Sequence, residues 1–402
     1  MIYILVLLLV LLLSYHYDIQ GNKHNRESWY WAVLILFVSI AGFRWRLGID
    51  TPIYLYRFYY ETKPLYRLTI NDLQVSESPL FILLNSLVYT LGGRFYVVQL
   101  IHAAFVNSLI FNYFKKHTNY LFTCVFFYAI TCYTNYNMEI LRASIGIVLT
   151  LYGNDFILGK KWVKGYVLYF FAFLFHPQFL PYFIFPLMFS LKLNRIGIIA
   201  IFAAMIIGHG ILIFFGEYIN YIEILDNTNV EKKIVGYSSS DKYGVQGGNL
   251  NFYIKNIIMV MFYVVFSFLY SKKFSQKRDL FKFEPLIVIG LMFISLRTGV
   301  EIVYRYVDCL KIYFVFFYAE TFCIIAKGRK KISNAVSYMK ALVVFSVFFL
   351  FVFGYRYFMS KSSGFRYYPY SSIFNREINK EREAGYIELN PLKHPRANVN
   401  EY

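Results

Sequence analysis

The stretch FYVVQLIHAAFVNSLIFNYF, residues 95–114, is almost continuously apolar and contains no Asp, Glu, Lys or Arg. An α-helix of about 20 such residues spans the ~30 Å hydrocarbon core of a bilayer. The run does not alternate between apolar and polar residues, as a strand of a membrane barrel does. It therefore predicts a transmembrane α-helix.

Similar runs, such as the one at 177–190, recur along the 402-residue chain, which is 58% hydrophobic, 21% aromatic and 16% charged. This is the composition of a membrane protein. We predict an all-α, polytopic integral membrane protein with roughly 11–13 transmembrane helices and no large soluble domain. The membrane domain covers residues 1–353, and a polar tail covers residues 354–402, loosely ordered after Phe374.

The formal net charge of +18 raises the question of a nucleic-acid partner. Lys and Arg, however, cluster in short loops between apolar runs, for example at 115–116, 160–164 and 327–331. Cytoplasmic loops of membrane proteins carry such an excess of positive charge. Since no basic face of a soluble domain is available, nucleic-acid binding is excluded.

Polar loops at 44–78 and 216–251 interrupt the apolar pattern. If the basic loops are cytoplasmic, counting the crossings places Arg142, His176, the 216–251 loop and the tail on the opposite face. The 44–78 loop falls on the cytoplasmic face if both following apolar runs cross the membrane. It falls on the outer face if one of them is re-entrant, and we favour that arrangement.

Cofactor motifs are absent from the sequence. The four cysteines lie in apolar segments without metal-ligand spacing, so we interpret them as buried core residues. The glycines of 241–251 are not followed by the Gly-Lys-Ser/Thr of a nucleotide loop. We predict no metal site and no cofactor.

Arginines near bilayer depth are the first candidates for function, because burying one costs at least ~2.5 kcal/mol and usually implies an anionic partner or a water-filled cavity. Arg44, Arg142 and Arg305 are such residues. The alternative is an internal ion pair, Arg142 with Glu139 or Arg305 with Asp308.

The segment AGFRWRLGIDTPIY, residues 41–54, carries Gly42, Arg44, Gly48, Asp50 and Tyr54 in the order G-x-R-x(3)-G-x-D-x(3)-Y. In this pattern the chain resembles the EpsG/Wzy-type exopolysaccharide and O-antigen polymerases. Ala143 departs from that family, which commonly has Gln after the helix arginine. Five other segments resemble family motifs in the same order, so that the resemblance runs from about Trp29 to Phe374: Ser76–Val88, Asn137–Gly146, Phe175–Tyr182, Tyr304–Phe314 and Tyr367–Phe374.

The resemblance implies a multi-pass enzyme of the bacterial cytoplasmic (inner) membrane. Its substrate would be an undecaprenyl-diphosphate-linked oligosaccharide, and its reaction a glycosyl transfer that joins a growing chain to the terminal sugar of a new lipid-linked repeat unit. Membrane lipids and a chain-length regulator protein are its expected partners.

The resemblance also suggests roles for the candidate residues. Arg44, Arg142 and Arg305 would bind the diphosphate through bidentate hydrogen bonds, because this group is both the bound anion and the leaving group. Tyr54 and Tyr370 would contact the substrate, since an aromatic face suits the apolar face of a sugar ring.

A general base must accept the proton of the acceptor hydroxyl, and Asp50, Glu77 and His176 are the candidates. Each has a structural alternative. Asp50 could pair with Arg44 or Arg46, or form an Asx turn. Glu77 could be an acid in the first turn of a helix, where the helix dipole favours a negative charge. His176 could be a solvated turn residue.

Two other functions remain open at this point. A flippase for lipid-linked oligosaccharides would also need arginines in the membrane, but flippases of this size tend to show two similar halves, which this sequence lacks. An O-antigen ligase or a sugar acyltransferase could share the same apolar architecture.

Overall fold

The structure of the protein, a computed structural model, describes residues 2–74, 78–192, 196–204, 206–207, 250–269, 278–296, 304–327, 334–349 and 366–389. It is 81% helical, without strands in the described part, and holds no large soluble domain. The predicted all-α membrane fold is confirmed. The predicted 216–251 loop lies almost wholly outside the described residues. The helices that we number are α1 (Ile2–Leu13), α2 (Arg26–Gly42), α3 (Thr51–Tyr56), α4 (Pro79–Thr90), α5 (Phe95–His117), α6 (Leu121–Thr131), α7 (Leu141–Leu158), α8 (Trp162–Phe175), α9 (Leu250–Leu269), α10 (Arg278–Leu296), α11 (Tyr304–Ala326), α12 (Asn334–Phe349) and α13 (Lys380–Leu389).

Four helical segments within the described ranges are long and apolar enough to cross a membrane. They are α5, α7, α11 from Arg305 onward, and α1 extended by a π-helical turn to Ile19. Five further apolar helices are shorter, at 10–17 residues, among them α4, α6 and α8. The opening stretch at 95–114 thus lies in a 23-residue helix, as predicted.

The apolar run at 177–190 is not the α-helix that its composition suggests. It folds as two 3₁₀ segments, Pro177–Phe183 and Phe185–Met188. Pro181 and Pro186 lack the backbone N–H that an α-helix needs, and each ring clashes with the preceding turn. The prediction of a regular transmembrane helix at this point is wrong.

The chain divides into two compact units. The first contains residues 1–186 and 318–402, and the second contains residues 187–317. In the second unit, α10 packs on the first part of α11, where Phe314 fits against Gly290. All four cysteines are buried and free, which confirms their interpretation as core residues.

In the first unit, α2 packs on α5, and α7 packs on α8. The α7–α8 pair is brought close by glycines: a Cβ added at Gly165 would lie 2.3 Å from Ile157 Cγ1 and 2.9 Å from the Gly153 carbonyl oxygen. Small residues allow such close approach of membrane helices, which gain stability mainly from van der Waals packing. The contact thus fixes α7 against α8.

A buried amide network fixes the segment before α7. Asn137 donates from Nδ2 to Asn107 Oδ1, to the Tyr128 hydroxyl at 3.0 Å and to the Tyr133 carbonyl at 2.9 Å. All three side chains of the Asn107–Tyr128–Asn137 network are fully buried. Because an unpaired polar group in an apolar interior is costly, this network determines where Met138 and Glu139 lie.

Gly165→Ala adds a single carbon where none fits, so we expect it to separate α7 from α8 and destabilise the protein by ~1–3 kcal/mol. Val167→Ile adds one carbon to an exposed position of the same helix and serves as the control. Thermal unfolding in detergent measures both variants. Equal midpoints would contradict the close contact.

Candidate active site

The loop between α2 and α3 folds against the segment that precedes α7. Gly48 has φ +99°, and a Cβ at this position would lie 2.0 Å from the carbonyl oxygen of Met138. Thr51 adds a hydrogen bond from its hydroxyl to the Leu47 carbonyl at 2.6 Å. Only glycine combines this backbone conformation with this approach, so Gly48 brings the loop next to Glu139.

Glu139 joins three parts of the chain. Its Oε2 accepts a hydrogen bond from the Ile49 amide at 2.8 Å, and its Oε1 accepts one from the Tyr367 hydroxyl at 2.8 Å. Burial raises the pKa of the Glu139 carboxyl, and the neighbouring Asp50 carboxylate raises it further. Glu139 thus ties the 43–49 loop and the tail to the segment before α7.

The tail contributes directly to this region. The Gly48 amide donates to the Arg366 carbonyl, the Trp45 amide to the Ser371 carbonyl, and the Ile373 amide to the Phe43 carbonyl, at 2.8–3.1 Å. Residues 366–376 therefore line the 43–48 loop through backbone hydrogen bonds.

Helix α13 is anchored as well. Glu383 forms a bidentate ion pair with Arg46, at 2.9 Å to Nε and 2.6 Å to Nη2, and the Arg382 side chain is 1% exposed. The prediction of a loosely ordered tail is wrong for residues 375–389, because Glu383 pairs with Arg46 of the membrane domain and Arg382 donates to the Pro369 carbonyl within the tail.

Arg44 is fully buried. It donates from Nη1 to the Ala41 carbonyl at 2.5 Å and from Nε to the Leu47 carbonyl at 3.4 Å, so it caps the C-terminal end of α2. Burial lowers the pKa of Arg44 to about 10, and it remains protonated at neutral pH. Its Nη2 has no hydrogen-bond partner within the described ranges.

Arg142, Tyr54 and Asp50 come together at the start of α7. The Arg142 guanidinium carbon lies 6.0 Å from the centroid of the Tyr54 ring. Burial raises the pKa of Tyr54, the Arg142 charge opposes this rise, and the Asp50 charge adds to it. The charges of Arg142 and Asp50 therefore both act on the Tyr54 hydroxyl, so the three side chains form one small cluster.

The Arg142 guanidinium uses little of its hydrogen-bonding capacity. Its Nη1 donates to the Ser78 hydroxyl at 3.4 Å, and its Nε is buried without a partner in the part of the chain that the structure describes. A guanidinium has five N–H donors in a planar fork that matches phosphate oxygens. Glu139 bonds to Ile49 and Tyr367 instead of forming the internal pair with Arg142 that the sequence leaves open.

Asp50 lies just before α3, but its carboxylate does not cap that helix. The two arginines proposed as its ion-pair partners are engaged elsewhere: Arg46 pairs with Glu383, and Arg44 donates to backbone carbonyls. The Asp50 carboxylate lies close enough to Tyr54 and Glu139 for its charge to raise the pKa of both.

His176 begins the 3₁₀ segment after α8, and its Nδ1 accepts a hydrogen bond from the Gln178 amide at 3.2 Å. In a neutral imidazole this leaves the proton on Nε2. Phe179 of the same segment packs on Gly146, one helical turn after Arg142. The segment that begins at His176 thus packs on α7, and Nε2 of His176 is a donor.

Three candidates remain: Glu77, Arg305 and Tyr370. Glu77 is outside the described residues. Arg305 is exposed at the start of α11, in the second unit. The Tyr370 hydroxyl donates to the Ile40 carbonyl at 3.1 Å, and burial raises its pKa to about 12. Tyr370 thereby anchors the tail to α2.

Metal ligands do not gather in this region: the described ranges hold no group of three or more His, Cys, Asp or Glu side chains that could bind a metal ion.

Several residues that hold the site together were not predicted from the sequence. Glu139 entered only as a partner of Arg142, and Ser78, Tyr367 and Glu383 were not singled out. Glu139 and Tyr367 lie 228 residues apart, so no local pattern links them. The carboxylate between Asn137 and Arg142 was the one available signal.

The fold and the site define a polytopic α-helical membrane protein with an arginine–tyrosine–aspartate cluster at the end of a membrane helix. Residues 27–372 match the model of the EpsG family, and the chain belongs to that family. Membership gives it a polysaccharide-polymerase type of function in a bacterial membrane, with a lipid-linked oligosaccharide as substrate. Comparison with curated proteins and with solved structures finds no match.

Gly48→Ala tests the close contact on which the site depends. The positive φ costs ~1–2 kcal/mol for an L side chain, and the Met138 carbonyl must also move. Gly21→Ala is the control, because Gly21 has φ +78° but nothing within 4 Å of an added Cβ. We expect a lower unfolding midpoint for Gly48→Ala than for Gly21→Ala. Equal losses would mean that only backbone strain matters.

Proposed function

We propose that the protein polymerises repeat units of a surface polysaccharide, O-antigen, capsule or exopolysaccharide. It transfers a polyprenyl-diphosphate-linked glycan chain to the terminal sugar of a new lipid-linked repeat unit. The observation that carries this proposal is Arg142: a half-buried guanidinium with unused donors, next to Asp50 and Tyr54.

In the proposed reaction, the bond between the anomeric carbon of the donor glycan and its diphosphate oxygen breaks. The acceptor hydroxyl oxygen forms the new glycosidic bond to that carbon. Asp50 accepts the hydroxyl proton, and the polyprenyl diphosphate leaves with the bonding electron pair. Arg142 stabilises the charge that develops on the leaving group, and it does so more strongly in a water-poor site than in bulk water.

The other predicted residues have supporting roles. Tyr54 provides an aromatic face beside Arg142 that suits a sugar ring. Arg305 remains a proposed contact of the leaving diphosphate, Arg44 remains a proposed contact of a substrate diphosphate, and Glu77 and His176 remain alternative bases. A chain-length regulator and the cytoplasmic membrane as location are likewise part of the proposal.

Arg142→Lys is expected to reduce polymer formation roughly 100-fold, because lysine keeps the charge but loses the planar fork. Arg67→Lys, at an exposed position of the 44–78 loop, is the control. A deletion strain that carries each variant is analysed for glycan length and lipid-linked intermediates. In the Arg142→Lys strain we expect lipid-linked single repeats on the outer leaflet and almost no long chains.

Two outcomes of that experiment contradict the proposal. Wild-type chain lengths from Arg142→Lys would remove Arg142 from the reaction. A deletion strain whose repeat units stay on the cytoplasmic leaflet would identify a flippase.

Asp50→Asn and His176→Gln distinguish the two described bases. Loss of a general base lowers turnover ~10²–10⁴-fold, and the structure favours Asp50, since Nε2 of His176 is a donor. We expect Asp50→Asn to lower turnover on purified lipid-linked repeats more than His176→Gln does. A larger loss of turnover from His176→Gln would assign the base to the histidine.

A further inference from the structure

A pocket lies beside the cluster of Arg142, in the same compact unit. It is formed by the loop after α2, by the end of α3 with the turn that follows it, by the start of α5 and by the tail. Its open space amounts to about 360 Å³, part of which faces solvent. The lining residues are Arg44, Trp45, Arg46, Leu55, Tyr59, Arg94, Phe95, Tyr96, Gln99, Ile373 and Arg376. We call this site the arginine pocket.

The arginine pocket is strongly positive. Four of its lining residues are arginines, and none is acidic. Glu383 neutralises Arg46 through the bidentate pair, while Arg376 lies over the Trp45 ring, 5.2 Å from its centroid. Like charges repel one another in a confined space, so this arrangement favours a bound anion.

Two buried donors on its walls lack a partner among the described residues. They are Nη2 of Arg44, a side chain that is fully buried, and Nε1 of Trp45. A buried donor without an acceptor costs ~1–3 kcal/mol. Both residues line the pocket, so an oxyanion bound there is a candidate acceptor for these donors.

The start of α5 adds to the same field. Arg94 and Phe95 begin this 23-residue helix, and no side chain caps it. The N-terminus of a helix carries a partial positive charge and free backbone amides, which bind phosphate and carboxylate groups. The lining arginines and the N-terminus of α5 therefore both contribute positive potential to the pocket.

We propose that the arginine pocket is an oxyanion-binding site, separate from Arg142, for a phosphate or carboxylate group of the substrate. The enclosed part of the pocket is small, so the pocket takes one small charged group and no long glycan. The tail completes the site, because Ile373 and Arg376 belong to it.

Two sources could supply this anion. One is the diphosphate of a second lipid-linked repeat, which a polymerase must hold together with the first. The other is an acidic sugar of the glycan. This identity rests on the proposed function, whereas the existence of the oxyanion site does not.

Trp45 allows a direct test, because it lines the pocket. The chain has four tryptophans, and the other three, Trp29, Trp31 and Trp162, are 39–53% exposed. Changing those three to Phe leaves Trp45 as the single fluorescent reporter in the full-length protein. The purified protein is titrated with inorganic pyrophosphate and, separately, with glucuronate, both at constant ionic strength.

We expect a saturable change of Trp45 emission that Arg94→Gln weakens roughly tenfold or more, since a charge-assisted bond is lost. Arg94 is exposed, so its replacement leaves the core intact. Arg67→Gln, another exposed arginine outside the pocket, should leave the titration unchanged. Arg376→Gln is a second pocket variant and should weaken binding as well.

The two ligands decide the source. A response to pyrophosphate alone assigns the site to a lipid diphosphate, and a response to glucuronate assigns it to an acidic sugar. Either response supports the oxyanion site.

Absence of a saturable response to both ligands would overturn the site, as would equal affinity in Arg94→Gln and Arg67→Gln. Arg142→Gln separates this proposal from the proposed function. It should abolish polymer formation while the Trp45 titration stays unchanged. Loss of the titration in Arg142→Gln would mean that no separate site exists.

Discussion

The contact between the backbone of Gly48 and the carbonyl of Met138 is the constraint on which the rest of the site depends. It forces the loop after α2 against the turn before α7, and this contact places Asp50 and Tyr54 next to Arg142. The Asn137 network on one side and Glu139 on the other hold the two backbones in that position. The position of this charged site thus depends on Gly48, a residue without a side chain.

The fold class and much of the helix pattern could be predicted from the sequence, because a bilayer imposes a length and an apolar composition on each crossing. The run at 177–190 satisfied the composition but not the backbone chemistry, since Pro181 and Pro186 break the hydrogen-bond ladder. Hydropathy alone cannot detect this difference. The two prolines in the sequence, in contrast, predict that a regular α-helix cannot form there.

The candidate site was predictable only in part. Arg142, Asp50 and Tyr54 were named from the sequence, and the structure brings them together. Arg44 was expected to contact a ligand, but its hydrogen bonds among the described residues go to the Ala41 carbonyl at the end of α2 and to the Leu47 carbonyl of the following loop. The roles of Glu139 and Glu383 depend on partners 228 and 337 residues away. Such pairings arise from the tertiary fold and leave no periodic or local signal.

The ion pair between Arg46 and Glu383 has a consequence for biogenesis. The ribosome delivers the loop to the membrane long before it delivers the tail, because 337 positions separate the two side chains. During that interval the guanidinium of Arg46 must be solvated by water or by lipid headgroups. The loop after α2 therefore reaches its final contacts only after translation has passed α13.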